Sequence, residues 1–324
     1  MASEPSELSS SHPKPNPNRP RPLLNAAISE NSIPKLESAL NLARSTSPST
    51  YDNFLDIAFC SAVSKGSIPL TTHLLKHENA LVSHLSSLTI SSSPSIPLLE
   101  VLLAHGWDIN HQDRKDTLGK GKRLLDRVLQ NEELVRWLVE HGARLDGEEQ
   151  DLDRLEDWPA PLLESCAALG SLSTFKFLQE RGAKLGRRTL HRAAGAAAAV
   201  GAGPGAESTD SEGSRRGEGD DDDAEYRQQR ELILRYLVDE LGLDVNQMDT
   251  DVPRGHLHYG SPLNYAAKEK NGIGVVKWLM AKGADPAIKS TDGGDLAMDA
   301  EGYAAAYKCE ENLEAIREWM KNNK

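Results

Sequence analysis

Leucine, valine and alanine recur along most of the chain every three or four residues with polar residues between, the spacing of amphipathic helices that bury one face. Five of these runs end alike: LLEVLLAHGWDIN (98–110), ELVRWLVEHGARLD (133–146), STFKFLQERGAKLG (173–186), LILRYLVDELGLDVN (232–246) and VVKWLMAKGADPA (275–287). Each is read as a helix stopped by a glycine, because glycine takes up the left-handed backbone that closes a helix. The closing residues Gly106, Gly142, Gly182, Gly242 and Gly283 stand 36, 40, 60 and 41 residues apart. The long step contains a low-complexity stretch, 201–225, and without it the step matches its neighbours. Insertions in repeated structures fall in loops.

A second helix is expected a short turn before each of these. Its signature is SPLNYAA at 261–267, APLLESCAA at 160–168, TLHRAA at 189–194 and PLLNAA at 22–27. Alanines on one face let neighbouring helices approach closely, each Leu reaches into the layer between units, and a Ser or Thr near the start offers an N-cap oxygen.

These motifs resemble the ankyrin repeat family, in which a turn leads to Thr-Pro-Leu-His and Ala-Ala on the first helix, then to Val-Val-x-Leu-Leu and Gly-Ala-Asp-Val-Asn around the end of the second. The match is strongest from Ser261 to Pro286, where Ser261, Pro262, Leu263, Asn264, Ala266, Ala267, Val275, Val276, Leu279, Gly283, Ala284 and Asp285 fall in family positions. Arg188 to Ala194 keeps Leu190, His191 and Ala193 without the proline. The resemblance implies an all-α solenoid of about eight helix-pair units with projecting hairpins or loops, beginning near Pro22, Asn53, Asn79, Gly121, Asp157, Gly186, Tyr259 and Gly293. The second and third units are degenerate, and 79–90 has no first-helix motif. The last helix, from Glu311, reads as a cap whose Leu313, Ile316, Trp319 and Met320 face inward. The domain expectation is a disordered Ser- and Pro-rich tail over 1–20, a repeat array over 21–324, and a disordered acidic insertion over 201–225 within one repeat.

Composition narrows the function classes. Aromatic residues are 5 % of the chain and mean hydropathy is -0.51, so apolar surface is buried in thin layers, as repeat proteins do. Cys60, Cys166 and Cys309 are far apart and odd in number, which fits neither a disulfide framework nor a zinc site and points to a reducing compartment. With neither a secretory leader nor an 18-residue apolar run, the expected location is cytoplasm or nucleus, with no membrane contact. The net charge of -12 argues against nucleic acid as a partner. Between Gly201 and Glu225 nine acidic residues face only Arg215 and Arg216, a net -7, so more than half the excess lies in one segment.

No Gly-rich phosphate loop, nucleophile triad, His-Glu-x-x-His or paired-cysteine pattern occurs, so no catalytic residue, cofactor or metal is expected. His191 reads as a structural hydrogen bond from its helix start to the adjoining loop, and His105 and His141 as helix-end residues. His256 and His258, with Asp249 and Asp251, have ligand chemistry but read as loop residues. The array instead offers a surface. In the family, loop tips and first helices form a concave face for partners, and residues there that packing does not require are candidates. Trp107 stands where the family has a small residue after the glycine, and Trp158 and Tyr259 where it has the turn glycine. Trp and Tyr are enriched at interface hot spots. Arg187 and Arg188, near Lys184, make a basic spot facing an acidic partner or the chain's own insertion. His256, His258 and Tyr259 complete the candidate contact set. Asp220, Asp221, Asp222 and Asp223 form the acidic loop, with Ser208, Thr209 and Ser211 as candidate phosphate acceptors that would deepen its charge. Trp137, Trp278 and Trp319 read as core.

The functional expectation is a monomeric, non-catalytic scaffold or adaptor that binds a protein through loop tips and inner first helices. Two alternatives stay open: an escort for a basic client that uses the acidic insertion, and a substrate-recognition or regulatory subunit of an enzyme complex. Ankyrin-type arrays serve many unrelated partners, so the resemblance itself does not choose.

Overall fold

The computed structural model describes residues 19–113, 121–145, 160–201, 220–250, 258–290 and 297–323. Every regular element among them is helical, with no strand, and none is long and apolar enough to cross a membrane. The chain divides into two compact units, 1–113 and 114–324.

The first unit holds three helix pairs: α1 (Pro20–Glu30) with α2 (Ile33–Thr46), α3 (Tyr51–Ser64) with α4 (Ile68–His77), and α5 (Ser87–Ser91) with α6 (Ile96–Ala104). First helices pack against first helices, α1 on α3 and α3 on α5, and second against second, α2 on α4 and α4 on α6. The five-residue α5 is the physical form of the missing motif at 79–90. Of the expected tail, 1–18 lies outside the described residues, and α1 already begins at Pro20, a residue suited to a helix's first turn.

The second unit continues the pattern. A single 3-10 turn (Leu125–Arg127) precedes α7 (Glu132–Glu140). Four full pairs follow: α8 (Leu162–Leu169) with α9 (Leu172–Glu180), α10 (Thr189–Ala199) with α11 (Asp220–Arg235), α12 (Pro262–Ala267) with α13 (Ile273–Ala281), and α14 (Ala300–Ala306) with α15 (Glu310–Asn322). Helix α10 lies between α8 and α12, and α12 also meets α14; on the other layer α9 meets α7 and α11, and α13 meets α15. The core is therefore a series of thin layers. Leu163, Cys166 and Ala167 face Leu190, Ala193 and Ala194, which face Leu263, Ala266 and Ala267, all buried.

One backbone device ends four of the second helices. Gly106, Gly142, Gly182 and Gly283 have φ between +85° and +100°. In each case the next residue donates its N–H to a carbonyl five residues back: Trp107 to Leu102, Ala143 to Leu138, Ala183 to Leu178 and Ala284 to Leu279, at 2.9–3.0 Å. A side chain at these φ values is strained, which is why glycine recurs there. The helix after the insertion differs by one residue. Leu237 stands five residues before Gly242, where the others have four, and the surplus is absorbed by a π-helical turn, Tyr236–Glu240, so that Leu243 bonds a carbonyl six residues back.

Helix α11 is longer than its counterparts because its first half docks on the preceding pair. Tyr226 donates to the carbonyl of Ala168 (3.3 Å), and the Gln229 side chain accepts from Leu172 N–H (3.0 Å). The buried Arg230 guanidinium donates to Ala167 (3.0 Å) and Gly170, at the end of α8, where a cation suits both the open carbonyls and the helix dipole. The helix starts at Asp220, so Asp220–Asp223 open α11, whereas the sequence places them in a disordered insertion reaching 225; the docked side chains give the helix a surface to form on. Residues 202–219 lie outside the described residues.

Candidate partner-binding surface

The 3-10 turn before α7 and the first helices α8, α10 and α12 share a buried polar slot immediately after a leucine: Asp126 after Leu125, Glu164 after Leu163, His191 after Leu190 and Asn264 after Leu263. Glu164, His191 and Asn264 bond a following loop directly, and Asp126 does so through Arg123. Asp126 holds Arg123 through its backbone N–H (2.9 Å) and guanidinium (3.2 Å), and Arg123 Nη1 donates to the carbonyl of Arg144 (2.7 Å). Glu164 Oε1 accepts from Arg188 N–H (2.8 Å). His191 Nε2 donates to the carbonyl of Gln247 (2.8 Å), and Asn264 Nδ2 donates to Ile288 (3.1 Å) and Tyr259 (2.7 Å). A buried polar group without a partner costs about 1–3 kcal/mol, so the bond each slot residue makes offsets part of that cost and helps position a loop. Sequence reasoning read only His191 as a tie of this kind and placed Asn264 in a family position without a role; the signal for the rest was a polar residue one place after Leu, two before a small or apolar pair.

Burial holds the His191 imidazole down to about 4, against an opposing pull from Asp249, so at neutral pH the ring is uncharged. That matches its role as a single donor to a carbonyl. Its neighbour Tyr265 packs edge-on at 5.3 Å and donates to Asp249 Oδ2 (2.7 Å); burial first, then the Asp249 carboxylate, push the phenol above its ordinary range. His258 Nδ1 lies 3.5 Å from the same carboxylate oxygen. Asp249 N–H donates to Gly260 (3.1 Å), and one pair later Ser290 N–H donates to Met298 (2.8 Å). These bonds join the residues flanking 251–257 and those flanking 291–296, two stretches that lie outside the described residues.

Tyr259 follows directly. Its ring stands edge-on to Tyr265 at 5.0 Å and to Tyr303 at 5.4 Å, with Lys268 Nζ 5.0 Å from its centroid. Burial first, then its hydrogen bond to Tyr307, push its phenol up to about 12. Tyr307 is 45 % exposed. The candidate surface therefore centres on Tyr259, Tyr307 and Lys268, and sequence reasoning found only the first of these.

Several candidates land elsewhere. Trp107 is 6 % exposed, so its indole is buried in the first unit instead of standing on a surface. Arg188 is also buried, its Nε 3.5 Å from Glu164 Oε2, so the expected basic spot reduces to exposed Arg187 and Lys184, and Arg187 Nε itself donates to Met248 O (2.9 Å). His258 is buried too, held inward by Asp249. Trp158, His256, Ser208, Thr209 and Ser211 lie outside the described residues. Of the tryptophans read as core, Trp137 is buried and stacked on His141 at 4.0 Å, while Trp278 and Trp319 are half-buried. His105 and His141 each meet the carbonyl four residues back, Val101 (2.8 Å) and Trp137 (2.7 Å).

The three cysteines are free, and burial pushes Cys166 up to about 12, an inert thiol. Among the described residues, no three of His, Cys, Asp and Glu are grouped as a metal site. Compared with protein-family models and with curated proteins, the chain matches none.

Proposed function

We propose that this chain is an ankyrin-type array acting as a non-catalytic interaction scaffold in cytoplasm or nucleus, binding a protein through its loop tips and inner first helices. The observation that carries the reading is the repeated slot at Asp126, Glu164, His191 and Asn264, which ties these four segments to a following loop, at Asp126 through Arg123. Such ties hold successive loops in fixed register, and a surface held rigid in advance binds with less ordering cost than one ordered on contact. Tyr259 and Tyr307 are then the aromatic anchors of that surface.

Affinity capture with the intact chain and with a Trp158→Ala, Tyr259→Ala double variant tests the reading. Loss of specific partners from the variant is the expected result; recovery of all of them would place the contact surface elsewhere. Salt separates a second reading, the escort of a basic client, which the net -7 of residues 201–225 favours. An escort's affinity falls steeply with ionic strength, whereas an aromatic-centred interface loses little.

A further inference from the structure

We propose that Tyr259, Tyr307 and Glu269 form a box for a cationic side chain, which Lys268 fills in the free protein and which a lysine from a basic partner segment enters by displacing it. The proposal rests on the scaffold reading and names the partner's chemistry. Lys268 Nζ lies 5.0 Å from the Tyr259 ring centroid and 5.9 Å from that of Tyr307, both within the roughly 6 Å over which a ring face attracts a cation. The Glu269 carboxylate bonds the same ammonium. Two ring faces and a carboxylate therefore converge on one point, and all three attract positive charge.

The box is braced from behind. Tyr303 and Tyr265 meet Tyr259 edge-on, which fixes the plane of its ring. The buried Asn312 side chain donates to the carbonyls of Ala267 (2.9 Å) and Glu269 (2.8 Å), pinning the turn that carries both Lys268 and Glu269. Lys268 sits on a four-carbon stem, its side chain is 17 % exposed, and the Tyr307 wall faces solvent.

The sign of the ligand follows from the same atoms. An anion approaching Lys268 meets Glu269, which already neutralises the ammonium, and the negative faces of two rings. A cation meets an acceptor set built for it once Lys268 swings out. Lys270, Lys308, Glu310 and Glu311, close in sequence to the box residues, balance one another in charge, while the whole molecule carries -12, so long-range attraction also favours a basic partner.

Tetramethylammonium, a cation with no N–H to donate, is the probe, read through the aromatic proton shifts of the full chain. Lys268→Ala is expected to bind it at least tenfold more tightly than the intact chain, and Lys268→Gln, which keeps most of the stem without the charge, to change affinity in the same direction. Adding Tyr307→Ala to either returns binding to the intact level. Folded Lys268→Ala and Lys268→Gln proteins that bind no better than the intact chain would overturn the box. The capture experiment above judges the scaffold reading by itself, so the two failures are told apart.

Discussion

Glu164 and His191 occupy the same slot in successive helix pairs and solve the same problem with opposite chemistry. Glu164 is a carboxylate that accepts a backbone N–H and faces the buried Arg188 guanidinium; His191 is a neutral ring that donates to a backbone carbonyl. What the slot requires is a hydrogen bond to the next loop, in whichever direction that loop presents a group. The charge arrives only where a second charge is buried with it. In the first unit the same kind of tie is made by Ser87, whose N–H (2.7 Å) and hydroxyl (2.5 Å) both reach Asp113.

The comparison breaks most visibly at Glu164. Glu164→Ala leaves Arg188 buried without its carboxylate and is expected to cost about 3–5 kcal/mol, read as a lowered urea midpoint. Next in size is acid. The folded-state pKa of His191 is depressed from 6.5 to about 4, so its contribution is complete above pH 6.5 and is lost as pH falls toward 4, because only the unfolded chain takes up the proton. Between pH 7 and 5 this amounts to about 2 kcal/mol at 1.36 kcal/mol per pKa unit. His191→Asn, which installs the amide found at Asn264, removes that part of the acid sensitivity; an unchanged difference between the two pH values would show that His191 is not its source. A smaller effect belongs to Ser261, whose hydroxyl accepts from Asn264 N–H and caps α12: Ser261→Ala is expected to cost about 1 kcal/mol in thermal or urea unfolding. Smallest of all, Tyr307→Ala should shift stability by less than about 0.5 kcal/mol while weakening partner capture, since the residue is exposed and holds no core position.

Much of this architecture is legible in residue order. Gly142, Gly182 and Gly283 mark real helix ends, and the extra residue between Leu237 and Gly242 shows in the sequence as the π-turn shows in the fold. The weak stretch at 79–90 is weak in both. The candidate surface was less readable. Trp107 and Tyr259 look alike as aromatic residues out of pattern, yet one is buried and the other is half-exposed against two tyrosines. Arg187 and Arg188 are adjacent, and only the second turns inward, because Glu164 waits there. The box draws Tyr259, Lys268, Glu269 and Tyr307 from three separate segments, and no spacing rule links them.

The division has a physical cause. Helix starts and stops depend on bonds between residues three to six apart and on whether a residue tolerates a left-handed backbone, so the order of residues along a short window settles them. Which polar side chain ends up buried, and which aromatic ring faces water, depends on the neighbouring pair's backbone. The Gln247 carbonyl takes a histidine as its donor, and the Arg188 N–H takes a glutamate as its acceptor. Those partners lie 56 and 24 residues away, and only packing the layers together brings them within reach.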